Sequence, residues 1–130
     1  MWLATKGGQP VGVVLEAVAP EGYSGDINLL IGIDAHGVLT GVRVTQHKET
    51  PGLGDYIQSS KSDWILQFDD QSYHPDHDSR WKVKKDGGEF DSRAGATITP
   101  RAIVKAVREA LKYFQLHRDT LLRPQESSQP

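Results

Sequence analysis

Residues 91–100 read DSRAGATITP, and a helical pattern follows them directly. Small residues at positions 94–96 let the backbone approach a bulky group closely. The pattern predicts a helix with Thr99 as its N-cap and Pro100 as its first residue, and it leaves the hydroxyl of Thr97 beside the helix start. Because the free N–H groups and the positive dipole end of a helix coincide, we expect this stretch to attract phosphate. A plain loop that ends in a threonine cap has the same pattern.

The final helix is predicted from an apolar stripe. The stripe repeats at the three- and four-residue spacing of one helix face, with Ile103, Val107, Ala110, Leu111 and Phe114 as its members. The polar residues between them are interpreted as the solvated face.

Upstream of the helix, three segments have the composition of β-strands. Residues 11–19 and 26–33 are rich in β-branched and apolar side chains, and residues 38–45 alternate. Residues 34–37 are predicted as a hairpin turn. We therefore expect a three-stranded antiparallel meander. In its third strand, one face is expected to carry Val38, Thr40, Val42 and Val44.

The segments between sheet and helix are shorter. Residues 50–54 break the sheet with a proline and two glycines, and residues 60–68 are predicted as a short helix that buries Trp64, Ile65 and Phe68. Residues 69–80 are expected to be an exposed loop, and residues 81–84 a strand. The predicted fold class is α+β, with a small, mostly antiparallel β-sheet, a C-terminal α-helix and short additional helices.

Length and composition predict one domain. We expect it to span residues 10–118, with residues 1–9 as a lead-in after a membrane anchor outside this sequence and residues 119–130 as a flexible tail. The formal charge of −2 and the absence of a basic stretch argue against nucleic-acid binding. The absence of cysteine excludes disulfides and thiolate metal sites, and the spacing of residues 74–78 (HPDHD) fits no standard metal site, so no metal is expected.

Three blocks occur in order along the chain. They are ETPGLG at residues 49–54, VKKDGG at residues 83–88 and the stretch at residues 91–100. In this order they resemble the FMN-binding domain family, and within it the G subunit of Rnf electron-transport complexes. The C subunit of the sodium-pumping NADH:quinone reductase carries a similar site. Ala94 and Ser92 depart from the residues common in that family, which leaves a phosphate contact at position 94 in doubt.

The resemblance implies that FMN is esterified through its phosphate to Thr97 by an ApbE-type flavin transferase. It places Thr50 and Leu53 against the flavin ring, with Glu49 on its polar edge. The complete set of cofactor-binding residues that it implies, besides Thr97, is Tyr23, Glu49, Thr50, Gly52, Leu53, Gly54, Lys84, Lys85, Gly95, Ala96 and Thr99. For Tyr23 a plain surface turn, and for the two lysines a solvated pair, remain equally good interpretations.

The resemblance further implies electron carriage without a catalytic acid or base. The setting would be a membrane-bound, Rnf-type ion-translocating oxidoreductase complex in the inner membrane, with this domain on the periplasmic side and other Rnf subunits as partners. Two alternatives stay open at this point. One is a stand-alone module that binds FMN without a covalent bond, and the other is a non-redox scaffold domain of the same fold.

Overall fold

The computed structural model of the chain describes residues 1–92 and 97–122. Within them, one antiparallel sheet follows the order of the sequence, with strands β1 (Trp2–Lys6), β2 (Gln9–Gly22), β3 (Gly25–Asp34) and β4 (Leu39–Gln46). The helix α1 spans Ile98–Leu121. Short 3₁₀ helices lie between β4 and α1, at Asp55–Ile57, Trp64–Phe68, Pro75–Arg80 and Lys84–Asp86. The α+β class predicted from the sequence is confirmed.

The sheet contains the predicted meander and one further strand, β1, which pairs with the first half of β2. Burial alternates along β3, where Ile27, Leu29, Ile31 and Ile33 face the core. The predicted alternation along β4 holds for Val42 and Val44 and is wrong at Thr40. The pairing shifts between Gly32 and Ile33, so that Leu39 and Val42 are buried while Thr40 is exposed. An irregularity of this kind inserts one residue and reverses the faces on either side of it.

The helix α1 covers one face of the sheet by packing on β2 and β3. Its predicted stripe is confirmed, because Ile103, Val107, Leu111 and Phe114 are at most 1% exposed. The 3₁₀ helix Trp64–Phe68 packs on β4 and buries the three predicted side chains. The core is therefore a single layer between the sheet and the elements above it.

An aromatic cluster closes the core beside β4. The ring centroids of Trp81 and Phe90 are 4.6 Å apart, and those of Phe68 and Phe90 are 5.0 Å apart. The strand predicted at residues 81–84 is wrong, since the pairing found there is an isolated bridge between Val83 and Phe90. The predicted exposed loop at residues 69–80 buries Tyr73. Burial of Trp81 and Val83 in the core, rather than strand pairing, accounts for the alternation of apolar and polar residues in this segment.

The start of α1 also differs from the prediction. The helix begins at Ile98 and its N-cap is Thr97, so the assignment of Thr99 as N-cap and Pro100 as first residue is wrong by two positions. Pro100 remains within the first turn, where a missing N–H costs nothing. At its other end α1 continues to Leu121, whose side chain is buried. No helix in the described ranges combines the length and the apolar character that crossing a membrane requires.

Candidate functional site

Three segments that are distant in sequence meet in a groove of about 200 Å³ at the start of α1. They are the turn between β2 and β3, the segment that follows β4, and the first turn of α1. The lining consists of Tyr23, Glu49, Thr50, Leu53, Gly54, Thr97, Ile98 and Thr99. Two of the three sequence blocks therefore lie together, and Tyr23 lies with them.

The segment after β4 is a compact turn. The N–H groups of Leu53 and Gly54 donate to the carbonyl oxygen of Thr50, at 3.0 and 3.1 Å. Gly52 adopts a φ of 81°, a backbone conformation that favours glycine, and its N–H donates to Asp55 Oδ1 at 2.9 Å. The turn leaves the Leu53 side chain 67% exposed at the groove. Gly52 shapes this turn without lining the groove.

Glu49 lies beneath the groove as a buried carboxylate, only 5% exposed. Its Oε1 accepts the N–H of Tyr23 at 3.2 Å and its Oε2 accepts the N–H of Ser24 at 2.8 Å. The hydroxyl of Thr99 also donates to Oε1. Three donors thus compensate the desolvation of one buried charge, as a buried carboxylate requires.

The two threonines of the helix start have different surroundings. Thr99 is 2% exposed and its hydroxyl is engaged by Glu49. Thr97 is partly exposed, lines the groove and makes no side-chain capping hydrogen bond within the described residues. The first intrahelical bond runs from the N–H of Arg101 to the carbonyl of Thr97, at 3.0 Å. Of the two threonines that line the groove, Thr97 is therefore the one whose hydroxyl is not engaged by Glu49, and it lies at the anion-attracting end of α1.

The rim of the groove is apolar and open. Tyr23 is 74%, Leu53 67% and Ile98 47% exposed, and all three line it. An exposed apolar rim beside polar groups is typical of a ligand site. Ile98 is the lining residue that the sequence analysis missed; the signal available was its apolar side chain between two threonines at a helix start.

The block at residues 83–88 lies apart from this groove. Among the described residues, the lining does not include Lys84 or Lys85. The ammonium of Lys84 lies 2.7 Å from Asp91 Oδ1, and the hydrogen bond to that carboxylate raises the pKa of Lys84. Asp86 instead pairs with Arg101, which lowers the pKa of Asp86. The predicted contacts of Gly95 and Ala96 fall outside the described residues.

The chemical character of its lining, and not its volume, distinguishes this groove from a second one. A wider groove of about 520 Å³ lies between β2 and α1, but its lining is mainly apolar, with Leu15, Ala102 and Ala106 among its members, and it contains none of the motif blocks. Within the part of the chain that the structure describes, no cluster of three or more His, Asp or Glu side chains is arranged to hold a metal ion.

Comparison with known proteins identifies the family. A sequence model described as the FMN-binding domain matches residues 22–112, which is more than half of the chain. The chain belongs to the FMN-binding domain family. The matched range includes all three segments of the groove.

The chain is also similar to individual proteins. It is 54% identical over 127 residues to the G subunit of the ion-translocating oxidoreductase complex of Pseudomonas aeruginosa, covering 98% of this chain and 59% of that relative. It is 55% identical over 130 residues to the protein of the same name in Cronobacter sakazakii, covering 100% of this chain and 60% of that relative. The resemblance to G subunits inferred from the three blocks is confirmed, and the chain spans about three fifths of the length of these relatives.

A solved structure shows the same fold. The crystal structure of Shewanella oneidensis NqrC superposes with a TM-score of 0.71 at 22% sequence identity, covering 91% of this chain and 58% of that one. At this identity the likeness establishes the architecture of the FMN-binding domain and nothing further.

Proposed function

We propose that this chain is the electron-carrying domain of an Rnf-type ion-translocating oxidoreductase complex and that it holds FMN through a phosphodiester at Thr97. The observation that carries the proposal is the contrast between the two threonines. Thr99 has its hydroxyl engaged by buried Glu49, whereas Thr97 lines the groove beside the helix start. Family membership and the similarity to G subunits support the choice of cofactor and complex.

The residues of the groove fit this cofactor. The start of α1 stabilises a phosphate by its N–H groups and dipole, and the apolar rim of Tyr23, Leu53 and Ile98 suits a planar aromatic ring. When bound, FMN would supply the one- and two-electron chemistry, and the chain would hold and orient it. The proposed role requires no side chain to act as a general acid or base.

Attachment requires a second protein. In our proposal an ApbE-type flavin transferase presents FAD and a divalent metal, and the Oγ of Thr97 forms a bond to the phosphorus of the FMN half. The pyrophosphate bond of FAD breaks, AMP leaves, and the hydroxyl proton is released to solvent. No electrons are transferred in this step. The domain would face the periplasm, tethered to the inner membrane by a part of the protein outside this chain.

The test is mass spectrometry of the chain after incubation with the transferase, FAD and Mg²⁺. We expect an acid-stable increase of one FMN residue, its absence in Thr97→Ala, and its return in Thr97→Ser, which restores a hydroxyl. Thr99→Ala should still become labelled at position 97. Labelling of Thr97→Ala would contradict the acceptor assignment, and tight flavin binding by that variant without a mass increase would support a non-covalent module instead.

A further inference from the structure

We propose that Glu49, Thr99 and Gly54 form a positioning unit that presents the hydroxyl of Thr97 for flavin attachment. This inference rests on the proposed function, and it assigns Glu49 a role other than contact with the flavin ring. None of the three residues is the acceptor. They fix where the first turn of α1 stands relative to the other two segments of the groove.

The first argument is the number of donors around Glu49. Both of its oxygens face donors, since the N–H groups of Tyr23 and Ser24 and the hydroxyl of Thr99 all point to them. A carboxylate side chain offers an acceptor at both oxygens, whereas a glutamine amide would turn an NH₂ group towards one of these donors. Because all three donors bind to it, the Glu49 carboxylate is hydrogen-bonded within the protein and joins the β2–β3 turn to the helix start.

The second argument is the space above the glutamate. A Cβ added to Gly54 would lie 3.0 Å from the Cβ of Glu49 and 3.5 Å from its Oε1. Gly54 is buried and is already held by its N–H bond to Thr50. A side chain at position 54 would therefore require Glu49 to shift by a few tenths of an ångström. This independent observation links the second glycine of the turn to the same unit.

The third argument is the position of Thr97, two residues before Thr99 on the same helix start. A shift of the first turn of α1 moves the acceptor hydroxyl relative to the groove, and misplacing a reacting group by about 1 Å is enough to slow a reaction about a hundredfold. Holding Thr99 by a buried, charge-assisted hydrogen bond therefore bears on the rate of attachment. The stability of the domain as a whole has other sources in the core.

The test measures the initial rate of the mass increase with excess transferase, FAD and Mg²⁺. Thr99→Val, which keeps the shape of threonine and removes its hydroxyl, should slow attachment at least about tenfold, the rate equivalent of one buried hydrogen bond to a charged group. Thr99→Ser should recover most of the lost rate. Glu49→Gln should slow attachment as well, and so should Gly54→Ala.

Two further measurements separate positioning from general destabilisation. Val107→Ala weakens the core beneath the same helix at a residue outside the lining of the groove, and it should leave the attachment rate unchanged. Hydrogen exchange of the flavin-free chain should quicken at the amides of Tyr23 and Ser24 in Glu49→Gln, since these are the groups the carboxylate binds.

The outcomes are distinct. A wild-type attachment rate in Thr99→Val overturns the positioning role, whatever rate Glu49→Gln shows. An equal slowing in Val107→Ala overturns it too, because the effect would then follow stability. Absence of labelling in the unmodified chain, or labelling elsewhere than Thr97, would instead refute the proposed function.

Discussion

Tyr73 and Asp78 form a side-chain pair whose strength depends on pH. The buried Tyr73 hydroxyl donates to Asp78 Oδ1 at 2.7 Å. This hydrogen bond lowers the pKa of Asp78, with Arg108, Lys112 and Lys82 adding to the effect, and the same bond raises the pKa of Tyr73. A carboxyl whose pKa is lowered by folding stabilises the protein above its unfolded pKa of about 4, and this contribution is lost as the pH falls through the folded pKa.

Tyr73→Phe should therefore lower stability at neutral pH, and the difference from the unmodified chain should shrink as the solution becomes acidic. Urea unfolding between about pH 7 and about pH 2 measures it. Asp78→Asn serves as the partner variant. If the two substitutions act through one hydrogen bond, the double variant loses less than the sum of the single ones. A difference that persists unchanged into acid would show that the tyrosine acts through packing alone.

The helix α1 offers a comparison within one element. Leu111 is 0% exposed against the sheet, whereas Leu116 on the same helix is 80% exposed. Leu111→Ala should reduce the free energy of unfolding by about 2–5 kcal/mol, because it removes buried methyl groups and leaves a cavity. Leu116→Ala, the same chemical change in the same helix, should stay within about 0.5 kcal/mol. Chemical denaturation of both variants checks this, and equal losses would contradict the packing described for α1.

The helix and the strands show which parts of the fold could be predicted from sequence patterns. The stripe of α1 and the alternation of β3 were predictable because burial of one face imposes their periods. The helix start was not, since Thr99 is drawn into a bond with Glu49, fifty residues away in the chain. The strand β1 carries almost no buried side chain and so leaves little pattern to detect. The predicted strand at residues 81–84 failed because alternation also arises where side chains enter an aromatic cluster.

In the whole molecule, the groove exists because three distant segments converge. The resemblance of the motif blocks to the FMN-binding domain family implied nearly all of the residues that line it, Tyr23 among them. The blocks did not predict that Glu49 is buried or that the lysine block lies outside the groove, with Lys84 bound to Asp91. Roles of this kind depend on which partners the fold supplies, and a linear pattern does not contain that information.

The convergence of the three segments leads to a prediction for the whole molecule. FMN attached at Thr97 remains on the chain after unfolding, so it stabilises the protein only if its ring occupies the groove in the folded state. Contact with Tyr23, Leu53 and Ile98 then joins the three segments and should raise the unfolding temperature, by about 4 °C for each kcal/mol of net contact energy.

Calorimetry of the labelled and unlabelled chains measures this temperature, and hydrogen exchange locates the effect. Exchange should slow at the β2–β3 turn, in residues 49–54 and at the start of α1, while the edge strand β1 serves as the internal control because it contributes nothing to the groove. If labelling leaves both the temperature and these amides unchanged, the flavin extends from Thr97 into solvent. The groove would then not be the binding site of the ring, because a ring bound in it protects the backbone that forms its walls.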